Sequence, residues 1–297
     1  MDIETRDVKS ILTEQRGTGF LGSPPYPYTH SLSPYTGCGF GKTSCGSYCY
    51  AQFMPNWLYY KGESDWGEKV GVKQNAPDVL DATLARTAPE KRRTFRIFMA
   101  STTDPYQPLE AKWRLTRGCL DVFARYDDLD LLVIQTRSPL AEQDFARMQQ
   151  IPYVYLSITI ETDDQAVITR LGGGPTLDSR FQLATRAVQA GIPTQITVSP
   201  CLPYTENFAK RLVETGVSRI VVDNFIEGDG FAGRRTANTR MADESWMNWR
   251  DISPSEHLFQ ELQGMEGFEL GWSSAGFNGI RPRAERGLGL LTTKPLI

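Results

Sequence analysis

The sequence predicts an α/β protein built on a parallel sheet, and two patterns support this. Short apolar runs rich in β-branched and aromatic residues alternate with segments whose apolar residues recur at helical spacing. Runs that are apolar on both faces are typical of parallel strands covered on each side, and repeated strand–helix alternation is typical of a parallel sheet. The predicted strands are FRIFMA (95–100), LDLLVIQT (129–136), YVYLSITI (153–160), TQITVS (194–199) and SRIVVD (218–223).

Helical patterns lie between these strands. The predicted helices cover residues 109–126, 139–149, 179–190 and 205–216. Gly191 and Pro193 stop the third helix before the next strand. In the fourth, Thr205 is the predicted N-cap and Gly216 marks the end.

Composition is that of an ordinary globular protein. The chain has 297 residues, of which 40% are hydrophobic and 23% charged, so it can bury a large core without disulfides or structural metals. The formal net charge of -3 gives no support for strong nonspecific nucleic-acid binding. We interpret three basic clusters as solvated surface. They are Lys91-Arg92-Arg93, Arg234-Arg235, and Arg281 with Arg283 and Arg286.

The expected location is a reducing cytoplasm. The N-terminal stretch MDIETRDVKS has no apolar region of the kind found in secretory signals. The sequence has no run of about 18 apolar residues, so no membrane span is predicted. Five cysteines are an odd number, and their spacing does not suggest a secreted disulfide framework. In a reducing compartment, clustered cysteines more often bind metal or carry out redox chemistry.

Polar residues follow all five predicted strands, where α/β proteins place their ligand sites. A single turn of this kind means little, but five in succession favour a polar site. The residues are Ser101-Thr102-Thr103-Asp104, Thr136-Arg137-Ser138, Ser157 with Thr159 and Glu161, Ser199-Pro200-Cys201, and Asp223-Asn224.

Cys38, Cys45 and Cys49 form a compact group with the spacing Cys-x6-Cys-x3-Cys. Thiolates suit zinc, copper(I) or iron–sulfur clusters. A structural zinc site needs four ligands, and His30 is the histidine near enough in sequence to complete one. Three thiolates on one loop also fit a [4Fe–4S] cluster in which the fourth iron is free to bind another group.

Several motifs around this group occur in an order that is specific to one enzyme superfamily. They are LTEQRGTGF (12–20), SLSPYTGC (31–38), YCYA (48–51), TDPYQPLEAKWRLTR (103–117) and GIPTQITVSPCLP (191–203). Together they resemble the radical S-adenosylmethionine (SAM) enzymes, in the spore photoproduct lyase-like branch. The resemblance covers roughly residues 10–225.

This resemblance implies a partial (β/α)6 TIM-type barrel with a C-terminal capping segment. The first strand would lead into the cysteine loop. We expect an N-terminal extension over residues 1–30, a core barrel over 31–225 and a cap over 226–297. The implied cofactors are a [4Fe–4S] cluster held by Cys38, Cys45 and Cys49, and SAM bound at the open iron. Reductive cleavage of SAM would give a 5′-deoxyadenosyl radical.

The resemblance also implies partners and individual roles. The electron would come from a reductant such as flavodoxin or ferredoxin. The substrate would be a damaged or modified nucleobase, a small metabolite or a peptide. Tyr48 would lie near the adenine, and Arg137 is suited to the SAM carboxylate because guanidinium is a planar two-pronged donor. The other expected cofactor contacts are Ser101, Thr102, Ser157, Asp223 and Asn224.

There are two catalytic candidates, and one of them follows from a departure in the motifs. In spore photoproduct lyase, a cysteine that returns hydrogen to the product radical occupies the position of Ser101, and a hydroxyl O–H bond is too strong for that task. Lyase chemistry by the same route is therefore not expected. Cys201 is a candidate substitute donor or extra ligand, or simply a buried small thiol. Tyr106 is a candidate for contact with the substrate.

The cysteine spacing departs from the usual Cys-x3-Cys-x2-Cys of these enzymes by three residues and by one. Loop closure costs little more for this added length, and the glycines are expected to make the loop pliable. Two alternatives stay open. One is a non-catalytic zinc module that uses the three cysteines and His30, and the other is an electron-transfer iron–sulfur protein.

Overall fold

The structure is a computed structural model that describes residues 1–15 and 20–286. Residues 16–19 of the LTEQRGTGF motif and residues 287–297 at the end of the expected cap lie outside the described residues.

An open eight-stranded sheet dominates the described part of the chain. Its strand order is β11-β10-β9-β8-β7-β6-β3-β2. All neighbours from β3 to β11 are parallel, and β2 pairs antiparallel with β3. The strands are β1 (Asp2–Arg6), β2 (Leu12–Glu14), β3 (His30–Leu32), β4 (Tyr35–Thr36), β5 (Lys69–Lys73), β6 (Arg96–Met99), β7 (Leu131–Thr136), β8 (Val154–Thr159), β9 (Thr194–Val198), β10 (Arg219–Val222) and β11 (Glu269–Trp272).

The expected partial barrel is therefore confirmed, and every predicted strand is present. The expected six parallel strands correspond to β3 and to β6 through β10. A second sheet, β1-β5-β4, stands beside the main one, and in it β1 is parallel and β4 antiparallel to β5.

Helices connect the strands. The α-helices are α1 (Pro55–Tyr60), α2 (Ala76–Arg86), α3 (Pro89–Arg92), α4 (Glu110–Trp113), α5 (Leu115–Phe123), α6 (Phe145–Met148), α7 (Gln165–Arg170), α8 (Leu177–Gln189), α9 (Phe208–Glu214), α10 (Ser253–Gln263) and α11 (Ser273–Phe277). Short 3-10 helices cover Phe20–Gly22, Ser44–Ser47, Tyr50–Phe53, Pro139–Asp144, Thr236–Asn238 and Arg240–Asp243.

Two helix predictions need correction. The helix expected over 109–126 is interrupted at Arg114, whose left-handed φ of 52° separates α4 from α5. Thr205 does not cap α9, which begins at Phe208. Its hydroxyl donates to Asp163 Oδ2 at 2.6 Å and accepts from the amide of Asn207 at 3.3 Å, one residue before the helix.

The two faces of the main sheet have different neighbours. Alternate residues of a strand point to opposite faces. Ile97, Leu132 and Leu156 share one core with apolar residues of the helices, such as Leu120 and Leu183. This face is the outside of the partial barrel, and the helices cover it.

The inner face forms a smaller core. Phe98, Leu131, Val133 and Val221 point into the barrel and pack with residues from both ends of the described chain. Those residues are Leu21, Tyr28, Phe277 and Ile280. Chain segments near residues 20–28 and 277–280 therefore fill part of the barrel interior.

The region expected to be a cap contributes to the sheet itself. Strand β11 pairs in parallel with β10, in the register Arg219↔Glu269 to Val222↔Trp272. The barrel sheet thus extends past residue 225 by one further parallel strand. The boundaries of the extension, core and cap stay predictions. None of the helices in residues 1–15 and 20–286 has the length and hydropathy needed to cross a membrane.

Leu156 tests the assignment of the outer core. It is fully buried in the central strand β8. We expect Leu156→Ala to lower the free energy of unfolding by about 2–5 kcal/mol, because it removes buried methyl groups and leaves a cavity. Urea denaturation measures this value. Leu58→Ala, at a side chain 48% exposed, should change it by less than about 0.5 kcal/mol. Similar values for the two variants would contradict the assignment.

Candidate functional site

An open cleft of about 750 Å³ lies at the carboxyl ends of the parallel strands. The three clustered cysteines form one wall, and polar residues that follow β6, β7, β8 and β9 form the others. The lining residues discussed below are Cys38, Cys45, Cys49, Tyr50, Ser101, Thr102, Thr103, Asp104, Gln135, Thr136, Arg137, Thr159, Ser199 and Gly228. A second cavity of about 440 Å³ shares Cys45, Cys49 and Arg137 with this cleft.

The cysteine loop, residues 37–53, is a chain of tight turns. The amide of Gly41 donates to the carbonyl of Cys38 at 2.9 Å, and the amide of Tyr48 donates to the carbonyl of Cys45 at 3.2 Å. Short 3-10 helices at Ser44–Ser47 and Tyr50–Phe53 continue the pattern. The backbone of the loop is therefore largely hydrogen-bonded to itself.

Glycines make the loop compact, which corrects the expectation of a pliable insertion. A Cβ at Gly46 would lie 1.8 Å from the carbonyl oxygen of Gly41. A Cβ at Gly41 would lie 2.5 Å from the backbone of Gly67. These glycines allow backbones to approach more closely than any side chain permits. The loop is not pliable because the residues that lengthen it are packed against other backbone and not exposed to solvent.

A run of three glycines after α7 supports the same loop. The amide of Ser44 donates to the carbonyl of Gly173 at 2.8 Å, and a Cβ at Gly172 would lie 3.3 Å from the carbonyl of Lys42. Gly172, Gly173 and Gly174 all have positive φ. The residues by which this loop exceeds the usual spacing thus rest on a surface formed by the helix-to-helix turn.

The TDPYQP motif holds the start of the cysteine loop from the other side. Thr103 Oγ1 donates to the carbonyl of Gly37 at 2.7 Å. The Gln107 amide accepts from the amide of Gly39 at 2.6 Å and donates to Thr103 Oγ1 at 3.0 Å. These bonds fix the backbone on both sides of Cys38, and Gln107 is fully buried.

Asp104 ties this motif to the next strand. Its Oδ1 accepts from the Tyr106 amide at 2.8 Å and from Thr136 Oγ1 at 2.7 Å. Its Oδ2 accepts from the Arg137 amide at 2.9 Å. Burial raises the pKa of Asp104, while these donors oppose the rise. Asp104 thus joins the ends of β6 and β7.

Arg137 lies at the cleft and pairs with a buried carboxylate. Its Nη1 donates to Glu161 Oε1 and to Tyr48 Oη, the latter at 3.3 Å. Tyr48 Oη donates to the same Glu161 oxygen at 2.6 Å. Arg180 binds the other oxygen of Glu161 at 2.5 Å. Glu161 and Arg180 are both fully buried.

Arg137 and Arg180 flank the carboxylate of Glu161, and the carboxylate of Asp104 also acts on Arg137. Burial alone would raise the pKa of Glu161, but the two arginines hold it below its ordinary value. Burial likewise disfavours the charged form of Arg137, but Cys45 and Glu161 raise its pKa well above the usual range. The guanidinium of Arg137 therefore lies at a cleft that contains three thiols and the carboxylate of Asp104.

The thiols themselves differ in environment. None of the five cysteines forms a disulfide. Burial raises the pKa of Cys38 to about 12. A hydrogen bond from Cys49 lowers the pKa of Cys45, and Arg137 acts in the same direction. Arg137 therefore stands close enough to the cysteine loop to stabilise a thiolate there.

The donor set of the cleft suits an iron–sulfur cluster. Cys38, Cys45 and Cys49 line one cavity together with Arg137, which would stabilise a thiolate there. In residues 1–15 and 20–286, no three His, Cys, Asp or Glu side chains are arranged around the position of a single metal ion. In a cluster each thiolate would bind a different iron, so the three thiols need not converge on the position of one ion. His30 contacts Thr29 and Phe95 and is not among the residues that line the cleft.

Ser101 and Thr102 lie on the cleft wall, at the end of β6. The Ser101 carbonyl accepts from Tyr50 Oη at 2.5 Å. Thr102 Oγ1 accepts from Asn56 Nδ2 at 3.2 Å. These two bonds connect the end of β6 to the segment that follows Cys49, so both predicted contacts stand beside the thiols.

The predicted adenine side lies at the second cavity. Tyr48 and Asn224 line it, together with Phe225, whose ring meets that of Tyr48 edge-on at 5.9 Å. Asn224 Oδ1 accepts from the amides of Ile226 and Glu227, both at 2.9 Å. The structure thus brings these two predicted residues together with Arg137 around one space.

Asp223 lies behind this cavity and is fully buried. It accepts from Ser199 Oγ at 3.0 Å and from the Asn224 amide at 2.9 Å. A Cβ at Gly228 would lie 2.3 Å from its Oδ2. Burial raises its pKa to about 6, although these donors oppose the shift. Asp223 therefore supports the cavity wall instead of lining it.

Three predicted site residues are placed away from both cavities. Ser157 is fully buried inside the barrel, where its hydroxyl accepts from Gln195 at 2.9 Å. Tyr106 is fully buried and donates to Asp144 Oδ2 at 3.3 Å. Cys201 packs in the outer core with its thiol toward the carbonyl of Leu202 at 3.7 Å, and burial raises its pKa to about 12. None of the three lines either cavity.

Sequence reasoning missed several residues that build the site. Glu161 was noted as polar after its strand, but its pairing with two arginines was not expected. The second, Arg180, comes from the first turn of α8, and no local pattern marks it. Asp229 organises the wall of the second cavity by accepting from the amides of Phe231, Gly233, Arg235 and Thr236. The Gly-rich sequence around it was the available signal.

Gln107 provides a test of the clamp on the cysteine loop. Gln107→Leu leaves the Gly39 amide without its partner, at a cost of about 1–3 kcal/mol. We expect Cys38, only 6% exposed, to react about tenfold faster with a thiol reagent in the metal-free protein. Peptide mass spectrometry identifies the modified cysteine.

The matched control is Gln149→Leu, which removes one hydrogen bond on the surface, from the Gln149 side-chain amide to the carbonyl of Ala190. It should leave the Cys38 rate unchanged. Equal rates for wild type and Gln107→Leu would show that the clamp does not restrain the loop.

Asp223 predicts a pH dependence of stability. Its folded pKa of about 6 lies above its ordinary value of 3.8. The folded state therefore binds the proton more tightly than the unfolded state, which adds to the free energy of unfolding at low pH. This stabilisation is lost as pH rises through 6. Between pH 5 and pH 8, we expect it to remove about 1–1.5 kcal/mol from the free energy of unfolding. Asp223→Asn should lack this component in urea denaturation at the two pH values.

Asp243→Asn, at an exposed position, is the control and should keep the wild-type difference between pH 5 and pH 8. If Asp223→Asn also keeps the full wild-type difference, the proton is not held by Asp223.

Comparisons with known proteins agree with this architecture. No protein-family model matches the chain. An uncharacterized protein of Methanocaldococcus jannaschii is 27% identical over 173 residues, which is 58% of this chain and 60% of that protein. An uncharacterized protein of Mycobacterium tuberculosis (strain H37Rv) is 28% identical over 191 residues, or 63% of this chain and 53% of that protein. The chain thus matches only about half to three fifths of the length of these curated relatives.

Solved structures of spore photoproduct lyase are similar across most of the chain. A variant with dinucleoside spore photoproduct has a TM-score of 0.59 and 14% identity, and the match covers 91% of this chain and 81% of the lyase. A variant with bound AdoMet and dinucleoside spore photoproduct has a TM-score of 0.57 and 14% identity, with 90% and 80% covered. The resemblance that the motifs predicted is confirmed at the level of the fold: the chain has the fold of spore photoproduct lyase.

Proposed function

We propose that this protein is a radical SAM enzyme that holds a [4Fe–4S] cluster through Cys38, Cys45 and Cys49 and binds SAM beside it. When bound, the reduced cluster supplies the electron that cleaves SAM to a 5′-deoxyadenosyl radical. The observation that carries the proposal is one cleft, at the carboxyl ends of parallel strands, that unites three thiols with a partly buried arginine paired to Glu161.

The cysteine loop gives the cluster a prearranged site. Its turns, its packed glycines and the clamp from Thr103 and Gln107 hold the three cysteines on one wall before any ligand binds. Cysteine side chains that are already held in place lose little conformational entropy when they bind iron. A longer spacing between cysteines therefore does not prevent chelation.

Arg137 is the proposed partner of the SAM carboxylate. It lines both cavities, and Glu161 and Tyr48 hold its Nη1 while the backbone bond to Asp104 fixes its main chain. Because Arg180 also neutralises Glu161, the positive charge of Arg137 is available to a further anion. Ser101 and Thr102 lie across the cleft, where they would contact the amino or carboxylate group.

The second cavity is the proposed adenosine site. Tyr48, Asn224 and Phe225 line it, and an aromatic wall with an amide suits a base. Asp223 supports the site from behind, and Ser157, which lines neither cavity, is assigned no contact there. The proposal assigns no substrate contact to Tyr106 or Cys201, because neither lines a cavity.

A nucleobase is the proposed substrate class, and a reductant such as flavodoxin or ferredoxin is the proposed electron donor. Support for the nucleobase comes from the fold of spore photoproduct lyase, whose structures contain a dinucleoside spore photoproduct. The hydroxyl of Ser101 cannot return a hydrogen atom as a thiol does, so the radical transformation differs from that of a lyase with a cysteine there. The proposed location of the protein is a reducing cytoplasm, which would keep the thiols free to bind iron.

Electron paramagnetic resonance tests the proposal directly. After anaerobic reconstitution with iron and sulfide, we expect a [4Fe–4S]+ signal that shifts when SAM is added, and 5′-deoxyadenosine after reduction. Cys45→Ala should abolish the signal, because one of three ligands is lost. The matched control is Cys119→Ala, a buried core cysteine on α5, which should keep it.

A colourless protein that binds one zinc through these thiols would contradict the proposal. So would a cluster whose signal is indifferent to SAM, since that is the behaviour of an electron-transfer protein.

A further inference from the structure

The cleft continues below the thiols into the barrel, where its character changes. Phe20, Phe98 and Phe277 line this inner part. The ring of Phe20 meets that of Phe98 edge-on at 6.3 Å and that of Phe277 at 4.7 Å. The inner end of the cleft is thus an aromatic floor, unlike the charged wall beside the cysteines.

One polar side chain interrupts this apolar surface. Gln135, near the end of β7, lines the same cleft. Its Nε2 donates to Thr159 Oγ1 at 2.5 Å and to Thr197 Oγ1 at 2.8 Å. Both hydrogens of the side-chain amide are therefore donated to threonine hydroxyls, which leaves the amide oxygen to be accounted for.

That oxygen, Gln135 Oε1, is buried and has no hydrogen-bond partner within the described residues 1–15 and 20–286. A buried acceptor without a partner is costly, and native proteins rarely keep one without a reason. The two threonine hydroxyls lie 3.3 Å apart and hold the amide from neighbouring strands. The acceptor is therefore rigidly placed before a ligand arrives.

An aromatic floor and a single fixed acceptor select a definite chemistry. Phenylalanine rings pack against flat apolar groups, and a neutral amide oxygen accepts from a neutral N–H donor. An ammonium group would favour a carboxylate in place of the amide. A group that offers an acceptor instead of a donor would leave both oxygens unpaired.

We propose that this inner pocket binds a planar heteroaromatic group of the substrate through a ring N–H that donates to Gln135 Oε1. Gln135 is then a specificity-determining residue, and Phe98 with its two neighbours forms the surface on which the ring packs. The inference deepens the proposed function by naming the group that enters the barrel. None of the residues that form this inner pocket is a proposed ligand of iron or a proposed contact of SAM.

Two probes that differ only at the ring nitrogen test the pocket. Uridine has an N3–H donor, and 3-methyluridine carries a methyl group there. We expect the full chain, as purified, to bind uridine at least about tenfold more tightly than 3-methyluridine, since the methylated ring leaves the acceptor unpaired. Saturation-transfer NMR and calorimetric titration measure the two affinities.

Gln135→Met keeps a side chain of similar length and removes the acceptor, so the preference for uridine should fall to about twofold or less. The control is Gln149→Met on the surface, which should keep the wild-type preference. Circular dichroism checks that both variants fold, and the comparison of the two probes on the wild-type protein stands even if Gln135→Met does not fold.

Equal binding of the two probes, binding of neither, or an unchanged preference in a folded Gln135→Met would overturn the inference. Because the titration uses no cluster chemistry, its failure is distinct from that of the proposed function. A protein that shows a SAM-responsive signal but no preference between the probes is a radical SAM enzyme with a different substrate contact.

Discussion

The buried carboxylate of Asp104 is the junction on which the candidate site depends. One oxygen holds the backbone of Tyr106 and the hydroxyl of Thr136, and the other holds the amide of Arg137. The motif that begins at Thr103 grips the cysteine loop, so the same few residues set the thiols relative to the arginine. Such a network is rigid only when every member is satisfied, which explains why a local motif can position groups from distant parts of the chain.

Charge gives the cleft its chemical character. Two arginines share the carboxylate of Glu161, and Tyr48 brings the cysteine loop to the same oxygen. Buried ion pairs are costly to form and are weak evidence for stability by themselves. Here the pairing lies at the edge of an open cleft that three thiols also line. Arg137 and the thiols are thereby held near one another.

The unusual cysteine spacing is accommodated by packing. Gly41, Gly46 and Gly67 let the loop fold against itself and its neighbours, and the glycines after α7 support its added residues. Loop length costs little in entropy, but an unpacked loop would leave the thiols poorly placed. The chain thus combines a longer loop with more contacts, and the thiols end on one wall of the cleft.

The sequence by itself determined the strand–helix alternation, the strands and the polar strand ends, because these depend on local periodicity and on residue type. It also grouped the three cysteines on one short stretch and placed Arg137 at a strand end, because both are local features of the sequence. Only the tertiary structure decided that Glu161 meets Arg180 from α8, that Tyr106 and Cys201 lie in the core, and that β11 joins the barrel sheet. Those outcomes depend on contacts between residues far apart in the chain, and the direction of a side chain at a strand end is set by its neighbours in space.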